Sequence, residues 1–567
     1  MAKKEEYIIP ELPPENKSKA PKTRIMDEGP ATIQEAPPLS RAVKQPMPPL
    51  DVTERTFYLD IRPKFVSLPE LEDKKNIDVR YPLISPFALA HIFWDPESNE
   101  LVYHVEEPVL NSAEKEILKL IQIGLEEMIN VSYIRAAKLN VLLDYLERNV
   151  QSIIVELGVK VSRQTYQKLM YYVYRDAAGL NEIEPLMYDY YIEDIECNGT
   201  GFPLYIVHRK YENMRTNVIF KDDQQLIDFV EKLAQKAGRY VSYARPILDG
   251  TLPDGSRVNA TYTEDITTRG PTFTIRKFTK DPWTPIHLID HGTATPEVFA
   301  FLWMAVEYKF NVMVIGETAA GKTTFLNSLL YFVPPEARVC SIEDTRELNL
   351  AHDNWLPAVT RSGFGIPSAT GEKPGEITLF DLLKEIFRQN PDYVIVGEIR
   401  GNEAYVLFQG MASGHPSFGT FHAASVETLV RRLQTPPINL PSSLVESLDI
   451  ICVTTHVKAR EQSIRRLKSV NEMREVSQEL GKVNYNVLFE WNPVNDTIRS
   501  HGNSLVLQRI SRITGISPDH LQKELMIRAR LLEELHKKGI FNFRDVSKIL
   551  NAFHKDREHV LKQFGLG

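Results

Sequence analysis

Apolar and polar positions change their period several times along this 567-residue chain, and each change marks a different kind of unit. The first fifty residues have no period at all. Pro, Lys and Glu dominate there, with clusters at Pro13-Pro14, Pro37-Pro38 and Pro46 to Pro49. Too little apolar surface is available to offset chain entropy, so residues 1–50 are predicted to be a disordered or polyproline tail. From Tyr81 to Leu110, two apolar runs flank the polar stretch Asp95 to Glu100 and predict a hairpin. Helical periods follow over Ser112 to Asn130 and Ile134 to Arg148, with Leu118, Ile121, Leu125 and Met128 forming one buried stripe. Residues 51–180 therefore read as a small α+β module.

Residues 181–290 read as a second, sheet-rich domain. Strand-like segments at Leu204–His208, Asn217–Phe220, Arg257–Thr263 and Thr272–Arg276 surround a helix near Gln224–Ala237. Gly250, Asp254-Gly255 and Gly270-Pro271 punctuate its turns. Over 291–500, short apolar strands alternate with longer helices, the signature of a parallel α/β sheet. After Asn503 the pattern is helical, with an apolar stripe at Leu521, Leu525, Ala529, Leu532 and Leu535, so 501–567 is predicted to be a helical tail. No internal repeat is visible.

Composition narrows the class. The chain is 43% hydrophobic and 25% charged, close to the globular average, so most of it should fold. A net charge of −8 gives no global attraction to nucleic acid or anionic lipid. Cys197, Cys340 and Cys452 form no paired motif, which argues against a zinc site or disulfide framework and for small core residues. The most apolar stretch, Val298 to Ile315, is interrupted by Glu307, Lys309 and Asn311, and no leader-like apolar region opens the chain. A membrane role is therefore expected only through a partner.

Four motifs carry chemistry. Gly316-Glu317-Thr318-Ala319-Ala320-Gly321-Lys322-Thr323-Thr324 fits the phosphate-binding pattern G-x-x-x-x-G-K-[ST]. An apolar strand at Val312–Ile315 precedes it and a helical run follows. The glycines let backbone N–H groups wrap phosphates, Lys322 can neutralise their oxygens, and the Thr323 hydroxyl can ligate Mg²⁺. Such a site needs an acid at the end of a neighbouring strand, and Glu398, in Val396-Gly-Glu398-Ile-Arg400, is the candidate, reaching Mg²⁺ directly or through water. Glu343 ends a further strand, ahead of Asp344-Thr-Arg-Glu347, and could orient water as general base. His415 and His422 bracket the strand-like Ser417–Phe421, where they could sense the γ-phosphate or couple it to a neighbouring subunit. With no third ligand nearby, a zinc reading is rejected.

Together the four motifs resemble those of the secretion-ATPase superfamily, which includes type II secretion, type IV pilus and type IV secretion ATPases. GETAAGKTT resembles its Walker A motif, SIEDTRE its acidic box, VGEIRG its Walker B with Glu for Asp, and GHPSFGTFHA its His box. The resemblance spans Glu184 to Glu472, and EDTREL, GEIRGNEA and SVNEM look most like archaeal members. It implies an α/β fold: a C-terminal RecA-like P-loop motor domain with a parallel sheet, preceded by α+β domains including a PAS-like sheet domain, and followed by the helical tail. It implies ATP and Mg²⁺ as cofactors, with Lys322 and Thr323 on phosphate and metal, Glu343 catalytic, Glu398 the Walker B acid and His422 the His-box residue.

Members of this superfamily are typically hexameric rings that bring arginines from the N-terminal domain to the nucleotide. Arg257 and Arg276 stand in the matching stretches. The four-cysteine zinc insertion of many bacterial relatives is missing. The resemblance thus implies a cytoplasmic homohexamer on the inner face of the membrane, working through a polytopic platform protein on pilin-like or secreted substrates. His422 and the loops near Arg400 would report phosphate loss to the next subunit. The alternatives are an archaellum motor, a DNA-translocating or conjugative ring ATPase, and a nucleotide-binding scaffold without turnover. For a DNA motor, the only basic candidate is Arg460 to Lys468, with Arg465 and Arg466, and it reads more simply as a charged strand face, so nucleic acid is not the expected partner.

Overall fold

Two nine-stranded sheets organise the chain. The computed structural model describes residues 57–61, 66, 68–69, 74–128, 139–278, 281–361, 363, 373–459, 462–477, 479 and 481–566. The predicted tail at 1–50 lies outside the described residues.

The first sheet is built from β1 (Asp78–Ile84), β2 (Ala88–Asp95), β3 (Glu100–Glu106), β4 (Ile192–Cys197), β5 (Pro203–His208), β6 (Glu212–Ile219), β7 (Ile247–Thr251), β8 (Arg257–Thr261) and β9 (Thr272–Arg276). Their order is β1-β2-β3-β6-β5-β4-β9-β8-β7, antiparallel except where β3 meets β6. The predicted hairpin is β2–β3. Asn99 takes φ +58° in its turn, and the Asp95 carboxylate accepts from the Glu97 N–H and the Ser98 hydroxyl. β1, β4 and β7 are strands the pattern did not reveal, because each carries charged or glycine positions inside a short run.

Helices Ser112–Met128 and Leu139–Glu156 pack together closely at Gly124, where a Cβ would come 3.1 Å from Ile153. Leu118, Ile121 and Leu125 are buried as the stripe predicts, but Met128 is 46% exposed. The start predicted for the second helix, Ile134, lies outside the described residues, and its end runs past Arg148 to Glu156. Helix Asp223–Lys236 buries Leu226, Phe229, Val230 and Leu233 against one face of the sheet, with Phe229 ringed by Phe220 and Phe273. The opposite face of β8 and β9 is polar: Val258, Ala260, Phe273 and Ile275 are buried, while Asn259, Thr274 and Arg276 alternate with them outward.

The second sheet is built from β10 (Val312–Gly316), β11 (Val339–Glu343), β12 (Trp355–Val359), β13 (Tyr393–Ile399), β14 (Ser417–His422), β15 (Ile450–Ala459), β16 (Gln462–Val476), β17 (Val483–Asn492) and β18 (Thr497–Ser500). The order β12-β11-β13-β14-β10-β15 is parallel throughout, and β16, β17 and β18 continue it antiparallel. β10 and β11 are buried at every position, as strands covered on both faces must be. Alternate side chains go to two separate cores. Val312, Val314, Val339 and Ile395 face helices Pro296–Glu307 and Lys322–Leu329; Met313, Ile315, Ile342 and Val396 face helices Leu379–Phe387, Glu403–Ala412 and Val426–Gln434.

The final helices complete the first of these cores. Leu521, Leu525, Ala529, Leu532 and Leu535 of helix Pro518–Lys537 are all buried there with Val298 to Val306 of helix Pro296–Glu307. The chain's most apolar stretch is thus accounted for: it is a helix covered on every side, as an all-round apolar helix must be, followed by the buried strand β10. Arg528, nearly enclosed, pairs with Glu307 at 2.5 Å and Glu524 at 3.0 Å and lies over the Trp303 ring. The three cysteines are buried and free. Among the described residues, no helix is long and apolar enough to cross a membrane.

Candidate functional site

Parallel strands align their carboxyl ends on one edge, and the register here brings four motifs to it. Gly316 of β10 pairs in register with His422 of β14 and Thr454 of β15. Ile399 of β13 pairs with Phe421 of β14, and Ile342 of β11 with Val396 of β13. Gly316, Glu343, Glu398 and His422 therefore end neighbouring strands at nearly one level, where open α/β sheets bind ligands.

The loop after β10 can be made only with these small residues. A Cβ on Gly316 would come 2.6 Å from the Thr454 carbonyl oxygen, so the strand must end in glycine. Ala319 (φ +61°) and Gly321 (φ +80°) turn the backbone through left-handed conformations. Gly321 then caps helix Lys322–Leu329. Glu317, Thr318 and Ala319 are exposed, Ala320 is buried, Thr323 is half-buried and Thr324 exposed. The first-turn N–H groups of that helix have no intrahelical acceptors and, with the helix dipole, favour an anion.

Lys322 is almost buried, and its Nζ donates to the Glu317 carbonyl at 2.9 Å and to His422 Nδ1 at 3.2 Å. An ammonium can only donate, so Nδ1 is the imidazole's acceptor and its proton sits on Nε2. Nε2 lies 2.7 Å from Glu398 Oε1, close enough for electrostatic pairing although the alignment is not that of a hydrogen bond. Burial, then the charge of Lys322, holds the His422 pKa below the ordinary value. Arg400 closes the chain, pairing with Glu398 and, at 3.7 Å, with Asp344. Arg432, from helix Val426–Gln434, reaches back to the His422 carbonyl.

Glu343 is only 2% exposed. Its Oε1 accepts the Glu347 and Leu348 N–H groups, each at 2.9 Å, while its buried Oε2 has no hydrogen-bond partner among the described residues. Burial pushes its pKa up to about 7, against the pull of those two N–H groups. Gly397 packs directly on it: a Cβ there would come 3.0 Å from Glu343 Cγ. Two buried acceptor oxygens, Glu343 Oε2 and Glu398 Oε1, thus face the same edge without hydrogen bonds. A hydrated Mg²⁺, which takes few protein ligands, fits Glu398 Oε1 together with the Thr323 hydroxyl and leaves Glu343 Oε2 free for water.

Not every predicted residue joins this group. His415 lies two residues before β14, at its opposite end, and packs edge-on to Phe387 at 5.1 Å, so the two histidines of that motif lie on opposite edges of the sheet. Arg257 and Arg276 face each other across β8 and β9, with Asp249 3.4 Å from Arg257 and Asp194 in register with Arg276. Among the described residues neither has a hydrogen bond or ion pair to the Gly316–Thr324 loop. Of the basic stretch on β16, Arg465 donates to the Ala319 carbonyl at 2.9 Å, and Arg466 pairs with Asp496 at 2.8 Å. Arg460 lies outside the described residues. Sequence reasoning missed Arg465 as a support of the phosphate loop and Arg432 as a brace on His422. Neither stands out in the sequence, since each sits next to another arginine in a segment rich in polar residues.

A family model described as Type II/IV secretion system protein matches residues 177–488. The chain is similar to the uncharacterized protein MJ0900 of Methanocaldococcus jannaschii, 36% identical over 521 residues that cover 88% of this chain and 93% of that protein. It is similar to a type IV secretion system protein PtlH homolog of Bordetella bronchiseptica, 28% identical over 43% of this chain and 81% of that protein. Among solved structures, the Legionella pneumophila ATPase DotB aligns at a TM-score of 0.37 and 16% identity, over 64% of this chain and 92% of that one.

Proposed function

This chain belongs to the type II/IV secretion system protein family, and we propose that it is a Mg²⁺-dependent ATPase whose hydrolysis drives a secretion or pilus-type machine. The observation that carries this reading is the meeting of Lys322, Glu343, Glu398 and His422 at one edge of the parallel sheet.

In this reading the sheet of β10–β18 is a RecA-like motor. The Gly316–Thr324 loop takes the phosphates of ATP on its N–H groups, and Lys322 leaves His422 for the β and γ oxygens. Thr323 and Glu398 would hold Mg²⁺, which would neutralise phosphate charge and help fix the γ-phosphate. Glu343, held at Oε1, presents Oε2 to the attacking water and takes its proton. His422, relieved of Lys322, stays paired electrostatically with Glu398 through Nε2 and reports the phosphate's presence. Arg257 and Arg276, like charges set opposite each other in a cross-strand pair, form a surface that an anion would stabilise, and closure of the sheet lobe delivers them to the nucleotide.

The working particle is a homohexamer at the cytoplasmic face of a membrane, acting through a polytopic platform protein on pilin-like or secreted substrates. DNA translocation is the weaker alternative, because Arg465 and Arg466 are already engaged within the fold.

ATP turnover and molar mass, measured together on wild type and Glu343→Gln with Mg²⁺, test this. Slow turnover in a particle of about six subunits, abolished by the substitution, is expected. Turnover unaffected by Glu343→Gln would remove the hydrolytic assignment, and a monomer under all nucleotide conditions would remove the ring.

A further inference from the structure

The loop that follows Glu343 touches both sheets, and Arg346 is the side chain that makes the connection. Its guanidinium carbon lies 5.2 Å from the centre of the Phe278 ring and 5.6 Å from that of Trp355. Phe278 belongs to the first sheet's lobe, two residues after β9. Its N–H donates to the Ser256 hydroxyl at 3.0 Å, that hydroxyl is held by Asp254, and Gly255 (φ +96°) leaves room for the ring, which a Cβ would meet at 3.0 Å. Phe278 is thereby tied to the turn that leads into Arg257. Trp355 opens β12 in the motor lobe, and its Nε1–H donates at 2.9 Å to Ser341, two residues before Glu343 on β11.

Between these rings, the loop's own backbone supplies both N–H groups that fix Glu343 Oε1. The neighbouring Glu347 carboxylate acts electrostatically on Asp194 of β4, on Lys322 and on Arg400, so this short segment lies where the sheet lobe meets the phosphate loop. Arg346 Nε is buried with no hydrogen-bond partner among the described residues. With Nε unpaired, the guanidinium is placed chiefly by the faces of the two aromatic rings, so its position depends on both being present.

We propose that Arg346 is a positioning residue: stacked between Phe278 of the sheet lobe and Trp355 of the motor lobe, it fixes the loop whose backbone holds Glu343, so that hydrolysis requires the two lobes to be seated together. This rests on the reading of Glu343 as the hydrolytic carboxylate. An aliphatic side chain would fill the gap between the rings without binding their faces, and a lysine would bring a point charge without the flat surface that stacks on both. Arg346 also places a positive charge that opposes the upward shift of the Glu343 pKa.

The test pairs amide hydrogen exchange over residues 343–350 with steady-state ATPase kinetics and ADP affinity on the full chain, using Arg346→Gln, Arg346→Lys and Phe278→Leu. Arg346→Gln and Phe278→Leu are expected to speed exchange of the Glu347 and Leu348 amides by about tenfold or more. They are expected to lower kcat by on the order of ten- to a hundredfold, with KM and ADP affinity nearly unchanged. Arg346→Lys should recover part of both effects. Unaltered exchange in β2 and β3 confirms that each variant folds. If Arg346→Gln exchanges and turns over like wild type, or if Phe278→Leu changes neither quantity, the clamp is wrong and the hydrolytic reading survives. If the exchange responds as described but wild type has no turnover, the hydrolytic reading falls and the clamp stands.

Discussion

The two sheets have the same number of strands and put their functional residues in different places. In the sheet of β10–β18, six adjacent strands run in one direction and the inner ones are buried on both faces, so chemistry gathers at the carboxyl edge. Lys322, Glu343, Glu398 and His422 gather there from different strands or the helix that follows one. The sheet of β1–β9 is almost wholly antiparallel and covers one face with helix Asp223–Lys236. Its other face stays polar, and there Arg257, which opens β8, and Arg276, which closes β9, stand side by side across the strand pair. An edge places groups by backbone register and makes them rigid. A face offers groups that become useful only when something is laid against it.

This contrast is sharpened or broken most strongly by Glu343→Gln. A buried edge carboxylate acting as general base should cost about 10²–10⁴ in kcat when neutralised, while leaving nucleotide affinity intact. The next largest effect is expected on the face. Arg257→Ala and Arg276→Ala should each lower kcat by at least roughly tenfold, below the roughly 10³–10⁵ of a full arginine finger because each leaves the other in place. They should leave unfolding free energy within about 0.5 kcal/mol of wild type, as exposed charges do. An equal loss of stability would make these arginines part of the sheet's structure, and the comparison would fail.

Gly397→Ala is the third test. Its Cβ would press on Glu343 Cγ at 3.0 Å, and a displacement of a few tenths of an ångström should lower kcat by about tenfold with KM little changed. The fourth is the pH profile. Glu343 works deprotonated and its pKa is raised to about 7, so kcat should rise with pH through that value and fall about tenfold per unit below it. A profile flat from pH 6 to pH 8 (~6–8 spans the shift) would remove Glu343 as the base.

The smallest effect concerns stability. His287, at the start of the motor lobe, has its pKa lowered to about 4 by burial, and its Nδ1 accepts the Thr284 N–H at 3.1 Å. The unfolded chain binds the extra proton first, so this contribution is present above the ordinary histidine pKa and is lost as pH falls toward 4. His287→Gln should flatten the acid side of a melting-temperature profile and leave its neutral side nearly unchanged.

Much of the edge was legible in the sequence because its chemistry is local. The phosphate loop declares itself in nine consecutive residues, and apolar strands ending in Glu343 and Glu398 need only their own runs to be seen. What was illegible depends on register between distant segments. That His422 rather than His415 meets Lys322 follows from which end of β14 lies beside Gly316. Arg465 supports the phosphate loop because the long β15–β16 hairpin folds back past β10, which no spacing announces. Likewise, the stripe of helix Pro518–Lys537 was plain, but not that its partner would be helix Pro296–Glu307, more than two hundred residues earlier.

That last pairing has a consequence on the ribosome. The first sheet is complete once Arg276 has emerged, and its core can close early. Helix Pro296–Glu307, buried over its whole circumference in the finished protein, must wait for its cover until helix Pro518–Lys537 is made. At roughly 5–20 residues per second, that delay lasts on the order of ten seconds or more. For that interval Trp303 and its apolar neighbours are sticky surface on a nascent chain. Heterologous synthesis should therefore be limited by aggregation of the half-made motor lobe, and slowed translation should worsen the yield unless a holding chaperone is supplied.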